Sequence, residues 1–128
     1  WGEAWAQWLR AADGTGRWVG VGASSPASWV SGDSERLGLA DRFTTVRCAD
    51  PGIPGKPDPT VYLPACESLG VAPNEALAIE DSTHGVAAAI SAGMRCIAAP
   101  GPITKTMEFG HASVRVDSLS ELNPADWL

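Results

Sequence analysis

Short apolar runs alternate along this chain with segments in which apolar residues recur at helical spacing. Runs of strand length lie at residues 18–23, 43–48, 76–79 and 94–98, and a shorter alternating piece lies at 114–116. Helical patterns reach about residue 12, run from 26 to about 37, from 59 to 70 and from 82 to 93, and resume as a short helix in the tail at 119–128. Strands that alternate with helices predict an α/β fold with a doubly wound parallel sheet.

Several helix boundaries are marked by residues that favour helix ends. Asp58 can cap a helix that has Pro59 at its first position. Gly70 and Gly93 lie where a left-handed residue is expected after a helix. Pro64 falls past the first turn of the helix that Pro59 begins, where a proline costs about 3 kcal/mol, so we expect a kink or a delayed helix start there.

Three tryptophans near the amino end share one face of the first predicted helix. Trp1, Trp5 and Trp8 are spaced i, i+4 and i+7, which predicts a buried seam. The alternative is a platform on which nucleic-acid bases stack. Because acidic residues lie nearby and positive charge is scarce, the seam is the favoured interpretation.

Composition narrows the classes of partner. The chain has 128 residues, 45% of them hydrophobic, which is enough to bury the core of one domain. Nine Lys and Arg residues against 15 Asp and Glu residues give a net charge of −6, so nucleic acid and anionic membranes are poor candidate partners. Arg95 interrupts the longest apolar stretch, which falls short of the roughly 20 residues of a membrane helix.

The three cysteines, Cys48, Cys66 and Cys96, lie far apart and form no Cys-x-x-Cys pair. Neither a zinc site nor a redox dithiol is therefore predicted, and a reducing, cytoplasmic setting fits best. The amino end has no basic-then-apolar signal pattern. The chain begins with Trp1 rather than Met, which suggests a sequence cut from a longer one.

Two adjacent acids, Glu80 and Asp81, follow the third apolar run directly and precede a helical pattern rich in small residues. Acids at the carboxyl end of a strand lie where open α/β sheets bind ligands. A helix cap formed by Asp81 or Ser82, with the other acid solvated, is the structural alternative.

Two further polar groups follow the first two strands. Ser24 and Ser25 come after the first strand and before Pro26, so their hydroxyls lie at the amino end of a predicted helix. Such a site suits a phosphate. The alternative is that a serine simply caps the helix. Lys56 lies in a loop between Gly55 and Pro57, which fix the backbone direction and aim its ammonium group. A solvated surface lysine is the alternative.

Taken in order, these motifs resemble the haloacid dehalogenase superfamily, in its beta-phosphoglucomutase-like and phosphoglycolate-phosphatase-like branch. The motifs read Val-Gly-Ala-Ser24-Ser, Gly-Lys56-Pro-Asp-Pro and Ile-Glu80-Asp81-Ser-Thr-His-Gly-Val-Ala-Ala-Ala. An Ala-Gly-Met continuation follows the last helix, and the resemblance covers nearly the whole chain.

The resemblance implies a site for phosphoryl transfer. Ser24 would donate its hydroxyl, and Ser25 its backbone N–H, to phosphoryl oxygens, while Lys56 would supply positive charge to the transition state. Asp81 would supply an oxygen ligand for Mg²⁺, with Glu80 binding directly or through water. The catalytic residues expected within this chain are thus Ser24 and Lys56.

The resemblance also identifies what is missing. The family's nucleophile is the first aspartate of an Asp-x-Asp-Gly-Thr motif after its first strand, and the nearest match, at residues 11–15, has Ala11 in that place. The cap domain that selects the substrate is absent as well. We therefore interpret residues 1–128 as the carboxyl-terminal part of a Rossmann-like core domain that lacks its first strand and its cap, and expect the isolated chain to be inactive.

These observations favour a Mg²⁺-dependent phosphomonoester hydrolase acting on a small phosphorylated metabolite. A phosphomutase of the beta-phosphoglucomutase type is one alternative, although Pro26 and Ala27 stand where the sugar-phosphate mutases carry polar residues. A non-catalytic remnant that binds phosphate or a partner is the other. The substrate and the oligomeric state are not encoded in these residues.

Overall fold

The computed structural model describes residues 3–17, 20–22, 35–36, 45–47, 52 and 54–128. Its α-helices are α1 (Glu3–Gly14), α2 (Leu63–Leu69) and α3 (Thr83–Ser91). Its strands are β1 (Gly20–Gly22), β2 (Thr45–Arg47), β3 (Leu77–Glu80), β4 (Arg95–Ala98) and β5 (Val114–Arg115). The predicted helix at 26–37 lies outside the described residues apart from Glu35 and Arg36.

All described strand pairs are parallel, which confirms the predicted α/β class. β1 pairs with β2, and the other three strands form a sheet in the order β3-β4-β5. Within the described part of the chain the two sheets share no strand, which agrees with the prediction of a core domain that lacks its first strand.

The sheet of β3, β4 and β5 is covered on both faces. Ala78, Cys96 and Ala98 pack in one cluster with the buried face of α3, while Ile97 packs in the other with Trp8 of α1. Neighbouring strand residues point to opposite faces, so a strand buried on both sides needs a continuous apolar run. This is why β4 could be recognised in the sequence, and it makes the sheet doubly wound.

Two of the three amino-terminal tryptophans, Trp5 and Trp8, lie in the described residues, and they form the buried seam that was predicted. Trp8 is buried against Ile97, Val116 and Leu119, and its indole N–H donates to the carbonyl oxygen of Leu119 at 3.3 Å. Trp5 is partly buried in the same cluster. Trp1 lies outside the described residues.

The helix ends follow the capping residues. Asp58 accepts a hydrogen bond from the backbone N–H of Thr60 at 2.9 Å and begins a 3₁₀ turn, Pro59–Val61. α2 begins only at Leu63, with Pro64 in its first turn, where a missing N–H removes no helical hydrogen bond. The delayed helix start is therefore confirmed. Gly70 and Gly93 have φ values of +68° and +89°, as expected after a helix.

The helix predicted in the tail at 119–128 is wrong. Two separate 3₁₀ turns, Leu119–Glu121 and Pro124–Asp126, stand in its place. Leu122 and Asn123 between them are extended, with ψ values of 144° and 120°. A proline disfavours helical backbone at the residue before it, so Pro124 prevents the first turn from continuing into the second.

One further property bears on the chain's surroundings. Among the helices of the described residues, none combines the length and the apolar character needed to cross a lipid bilayer.

We expect Ile97→Ala to lower the free energy of unfolding by about 2–5 kcal/mol, because Ile97 is 0% exposed where the sheet packs against Trp8 of α1. Ile103→Ala is the matched control, since Ile103 is 91% exposed, and it should change the stability by less than about 0.5 kcal/mol. Urea unfolding of both variants measures the difference. Equal losses would contradict the packing described above.

Candidate functional site

The two adjacent acids at the end of β3 have different surroundings. Glu80 is the last residue of β3 and is only 6% exposed, whereas Asp81 is exposed. Ser82 caps α3, because its hydroxyl accepts a hydrogen bond from the N–H of Gly85 at 3.1 Å. The cap is thus formed by serine, and the carboxylate of Asp81 is left facing solvent at the strand tip.

The carboxylate of Glu80 is held by two donors. The ammonium group of Lys56 lies 2.5 Å from its Oε1, and the hydroxyl of Tyr62 donates to the same oxygen. A buried carboxylate is costly unless it is paired and hydrogen-bonded, and these contacts meet that requirement. Glu80 therefore joins the loop that carries Lys56 to the end of β3.

Lys56 is enclosed by the fold. Its side chain is 13% exposed, and its Nζ lies 5.3 Å from the centre of the Tyr62 ring. The alternative of a solvated surface lysine is therefore wrong. An ammonium group over an aromatic ring is attracted to the ring face, so Lys56 has a second contact that orients it.

Gly85 provides the space that Glu80 occupies. A Cβ atom at Gly85 would lie 1.9 Å from Oε2 of Glu80, which is far inside van der Waals contact. Any other residue at this position would have to displace the carboxylate. The glycine in the first turn of α3 is therefore required by the buried carboxylate of Glu80.

Tyr62 is a residue of the site that the sequence analysis missed. It stands between Val61 and Leu63 at the start of a predicted amphipathic helix, where an aromatic side chain is ordinarily part of the core. One signal was available, because a buried tyrosine hydroxyl usually finds a hydrogen-bond partner. The apolar residues around Tyr62 in the sequence thus implied that its buried hydroxyl contacts a polar group elsewhere in the chain.

Burial and the charge of Glu80 raise the pKa values of two neighbouring groups, Tyr62 and Cys96. Burial, followed by the charge of Glu80, raises the pKa of Tyr62 above its ordinary range, so the phenol stays a neutral donor. Burial also raises the pKa of Cys96 to about 12, with a contribution from Glu80 that Lys56 opposes. Cys96 is therefore a thiol rather than a nucleophilic thiolate.

Ser24 and Ser25, predicted to bind phosphate, lie outside the described residues, and so does Cys48. β1 ends at Gly22, two residues before Ser24. The roles of both serines stay predictions. Of the predicted site residues, the structure brings Lys56 and Glu80 into contact, and Asp81 follows Glu80 directly in the chain.

Few of the described side chains could bind a metal ion at this site. No group of three or more His, Cys, Asp and Glu side chains that could hold a metal occurs among the residues that the structure describes. Mg²⁺ keeps several waters and binds through one or two carboxylates, so the exposed carboxylate of Asp81 fits such a site. Oε1 of Glu80 already has two donors, and whether Glu80 also reaches the ion stays a prediction.

Comparison with known proteins places this arrangement among hydrolases. The profile of the haloacid dehalogenase-like hydrolases matches residues 6–99. The Bacillus subtilis protein YhcW is 41% identical over 118 residues, which are 92% of this chain and 54% of that protein. Hexitol phosphatase B of Escherichia coli K12 is 35% identical over 111 residues, which are 86% of this chain and 50% of that protein. The chain thus spans about half the length of these relatives.

A solved structure agrees with the fold. The crystal structure of CbbY from Rhodobacter sphaeroides in complex with phosphate superimposes with a TM-score of 0.89 at 31% identity. The superposition covers 94% of this chain and 55% of CbbY. A mutant of CbbY was crystallised with xylulose-(1,5)bisphosphate.

We expect Gly85→Ala to lower the free energy of unfolding by about 1–3 kcal/mol, although alanine is the better helix former, because the new methyl group displaces the carboxylate of Glu80. Gly14→Ala is the matched control. Gly14 ends α1, and nothing lies within 4 Å of its Cβ position, so alanine there should be neutral or stabilising. Thermal or urea unfolding compares the two, and equal effects would contradict the contact.

We expect Cys96 to resist alkylation by iodoacetamide in the folded protein at any pH below about 12, and to react after unfolding. Mass spectrometry resolves the modified sites, and Cys66, which is also a buried free thiol, provides an internal comparison. Since only the unfolded thiol ionises above about pH 8.5, stability should fall from there towards pH 12, by at most about 1.4 kcal/mol per pH unit. Rapid labelling of Cys96 at neutral pH would contradict this description.

Proposed function

The chain belongs to the haloacid dehalogenase-like hydrolases, and we propose that it is the carboxyl-terminal part of the core domain of a Mg²⁺-dependent phosphatase. The substrate class proposed is a monoester of a small phosphorylated metabolite. Two relatives support this class, since one is named a hexitol phosphatase and CbbY was crystallised with phosphate and, as a mutant, with a sugar bisphosphate.

One observation in this chain carries the proposal. At the end of β3, the partly buried Lys56 is paired with the buried Glu80, and the exposed Asp81 follows Glu80 in the chain. A phosphoryl group brings negative charge, and its transfer needs positive charge that is already oriented. Lys56 supplies that charge, while Glu80 holds its ammonium group in place.

Each residue has one proposed role. Lys56 contacts a phosphoryl oxygen and stabilises the charge that develops there during transfer. Ser24 and Ser25 bind further phosphoryl oxygens through a hydroxyl and a backbone N–H. Asp81, with Glu80 directly or through water, would hold Mg²⁺, which when bound neutralises charge on the phosphoryl group.

The nucleophile is proposed to lie outside these residues. The family resemblance gives that role to an aspartate of an Asp-x-Asp-Gly-Thr motif, which this sequence does not contain. The 128 residues alone are accordingly expected to show no turnover. The two buried free thiols, Cys66 and Cys96, support the cytoplasmic setting proposed for the protein.

We expect Asp81→Asn in the protein that carries this chain to weaken Mg²⁺ binding by about 10- to 100-fold, because an amide lacks the charge of a carboxylate. Phosphatase activity at subsaturating Mg²⁺ should fall in parallel, and chelation by EDTA should abolish it. Asp117→Asn is the matched control, since Asp117 is 82% exposed and pairs with Arg115 away from β3. Calorimetric titration with Mg²⁺ or Mn²⁺ measures the affinity.

Two outcomes would overturn the proposal. Multiple turnovers by the isolated 128 residues, abolished by Asp81→Ala, would show that no external nucleophile is needed. A protein that binds phosphate but hydrolyses no phosphomonoester would favour the non-catalytic alternative.

A further inference from the structure

Lys56 contacts the carboxylate of Glu80 and the ring of Tyr62, and Tyr62 also contacts Glu80. The Nζ atom of Lys56 lies 2.5 Å from Oε1 of Glu80 and 5.3 Å from the centre of the Tyr62 ring. The Tyr62 hydroxyl donates to the same Oε1. Lys56, Tyr62 and Glu80 therefore form a closed set in which every member contacts the other two.

Tyr62 is the rigid member of this set. It is 8% exposed and belongs to the core cluster that contains Ala78 and Cys96, so its ring is fixed by packing. It also ends the 3₁₀ turn Pro59–Val61, where its N–H donates to the carbonyl oxygen of Pro59. Lys56, by contrast, has a long side chain with many rotamers on a loop.

Glu80 needs the Tyr62 hydroxyl to keep one orientation. Its carboxylate is buried, and Oε2 lies against Gly85, which provides no hydrogen-bonding side chain. Without the hydroxyl, Oε1 loses one of the two donors that the described residues give it and keeps the ammonium group of Lys56. The hydroxyl therefore fixes the acceptor to which Lys56 is bound.

We propose that Tyr62 is a positioning residue, which sets the location of the Lys56 ammonium group through Glu80 and through its own ring. This inference rests on the proposed function, because it assumes that Lys56 acts on a phosphoryl group. Tyr62 itself does not touch the substrate. Its effect is expected in the chemical step, because a misplacement of about 1 Å in a reacting group costs up to about 10²-fold.

Two variants separate the hydroxyl from the ring. Tyr62→Phe keeps the ring beneath Lys56 and removes the donor, and should lower kcat by about 10-fold with little change in KM. Tyr62→Leu removes both contacts and should lower kcat further. Phe109→Leu is the matched control, since Phe109 is a buried aromatic residue of the same cluster whose ring lies against Arg115.

A double-variant test distinguishes positioning from general support of the fold. In a Lys56→Gln background, Tyr62→Phe should lower kcat by almost nothing more, because the ammonium group that Tyr62 positions is gone. Phe109→Leu should have the same effect in both backgrounds. If Tyr62→Phe lowers kcat by the same factor with and without Lys56, the positioning role is overturned.

A spectroscopic measurement tests the contact without relying on activity. Proton NMR of the whole protein should show a downfield hydroxyl resonance of Tyr62, identified by its loss in Tyr62→Phe, that moves upfield in Glu80→Gln and shifts in Lys56→Gln. If the protein has no phosphatase activity but shows these shifts, the proposed function fails while the set of contacts stands. An unshifted resonance in both variants would overturn the inference itself.

Discussion

The site depends on the burial of one carboxylate. Glu80 is removed from water at the end of β3, and an unpaired charge there would cost several kcal/mol. Lys56 supplies the opposite charge and Tyr62 a neutral hydrogen bond, so the stretch that carries both residues must meet the end of β3, which is 18 and 24 residues away in the chain. Satisfying the acid therefore links the loop before α2, the start of α2 and the end of β3.

Small residues make this burial possible. Gly85 leaves the space that the carboxylate of Glu80 fills, and Ala88 and Ala89 are fully buried where α3 packs on the sheet. Larger side chains on this face would hold the helix away from the strand tip. The glycine and alanine pattern that resembled the family motif thus has a packing reason, because it brings a helix amino end close to two acids.

The sequence indicated the order of the elements more reliably than the contacts between side chains. Continuous apolar runs and capping residues located β3, α3 and β4, because burial on both faces and free helix N–H groups leave local marks. The tail helix was wrong because Pro124 acts on the residue before it, against an otherwise helical pattern. Tyr62 was missed because its partner is 18 residues away, and no local pattern records such a contact.

The different surroundings of Glu80 and Asp81 follow from strand geometry. Alternate residues of a strand point to the same face, so Glu80 shares the buried face of Ala78, whereas Asp81 lies just past the end of β3 and is exposed. Two chemically similar acids are therefore separated by position alone. The inward acid contacts Lys56, and the outward acid is exposed to solvent. A shift of this strand by one residue would move Glu80 away from the position at which it contacts Lys56 and Tyr62.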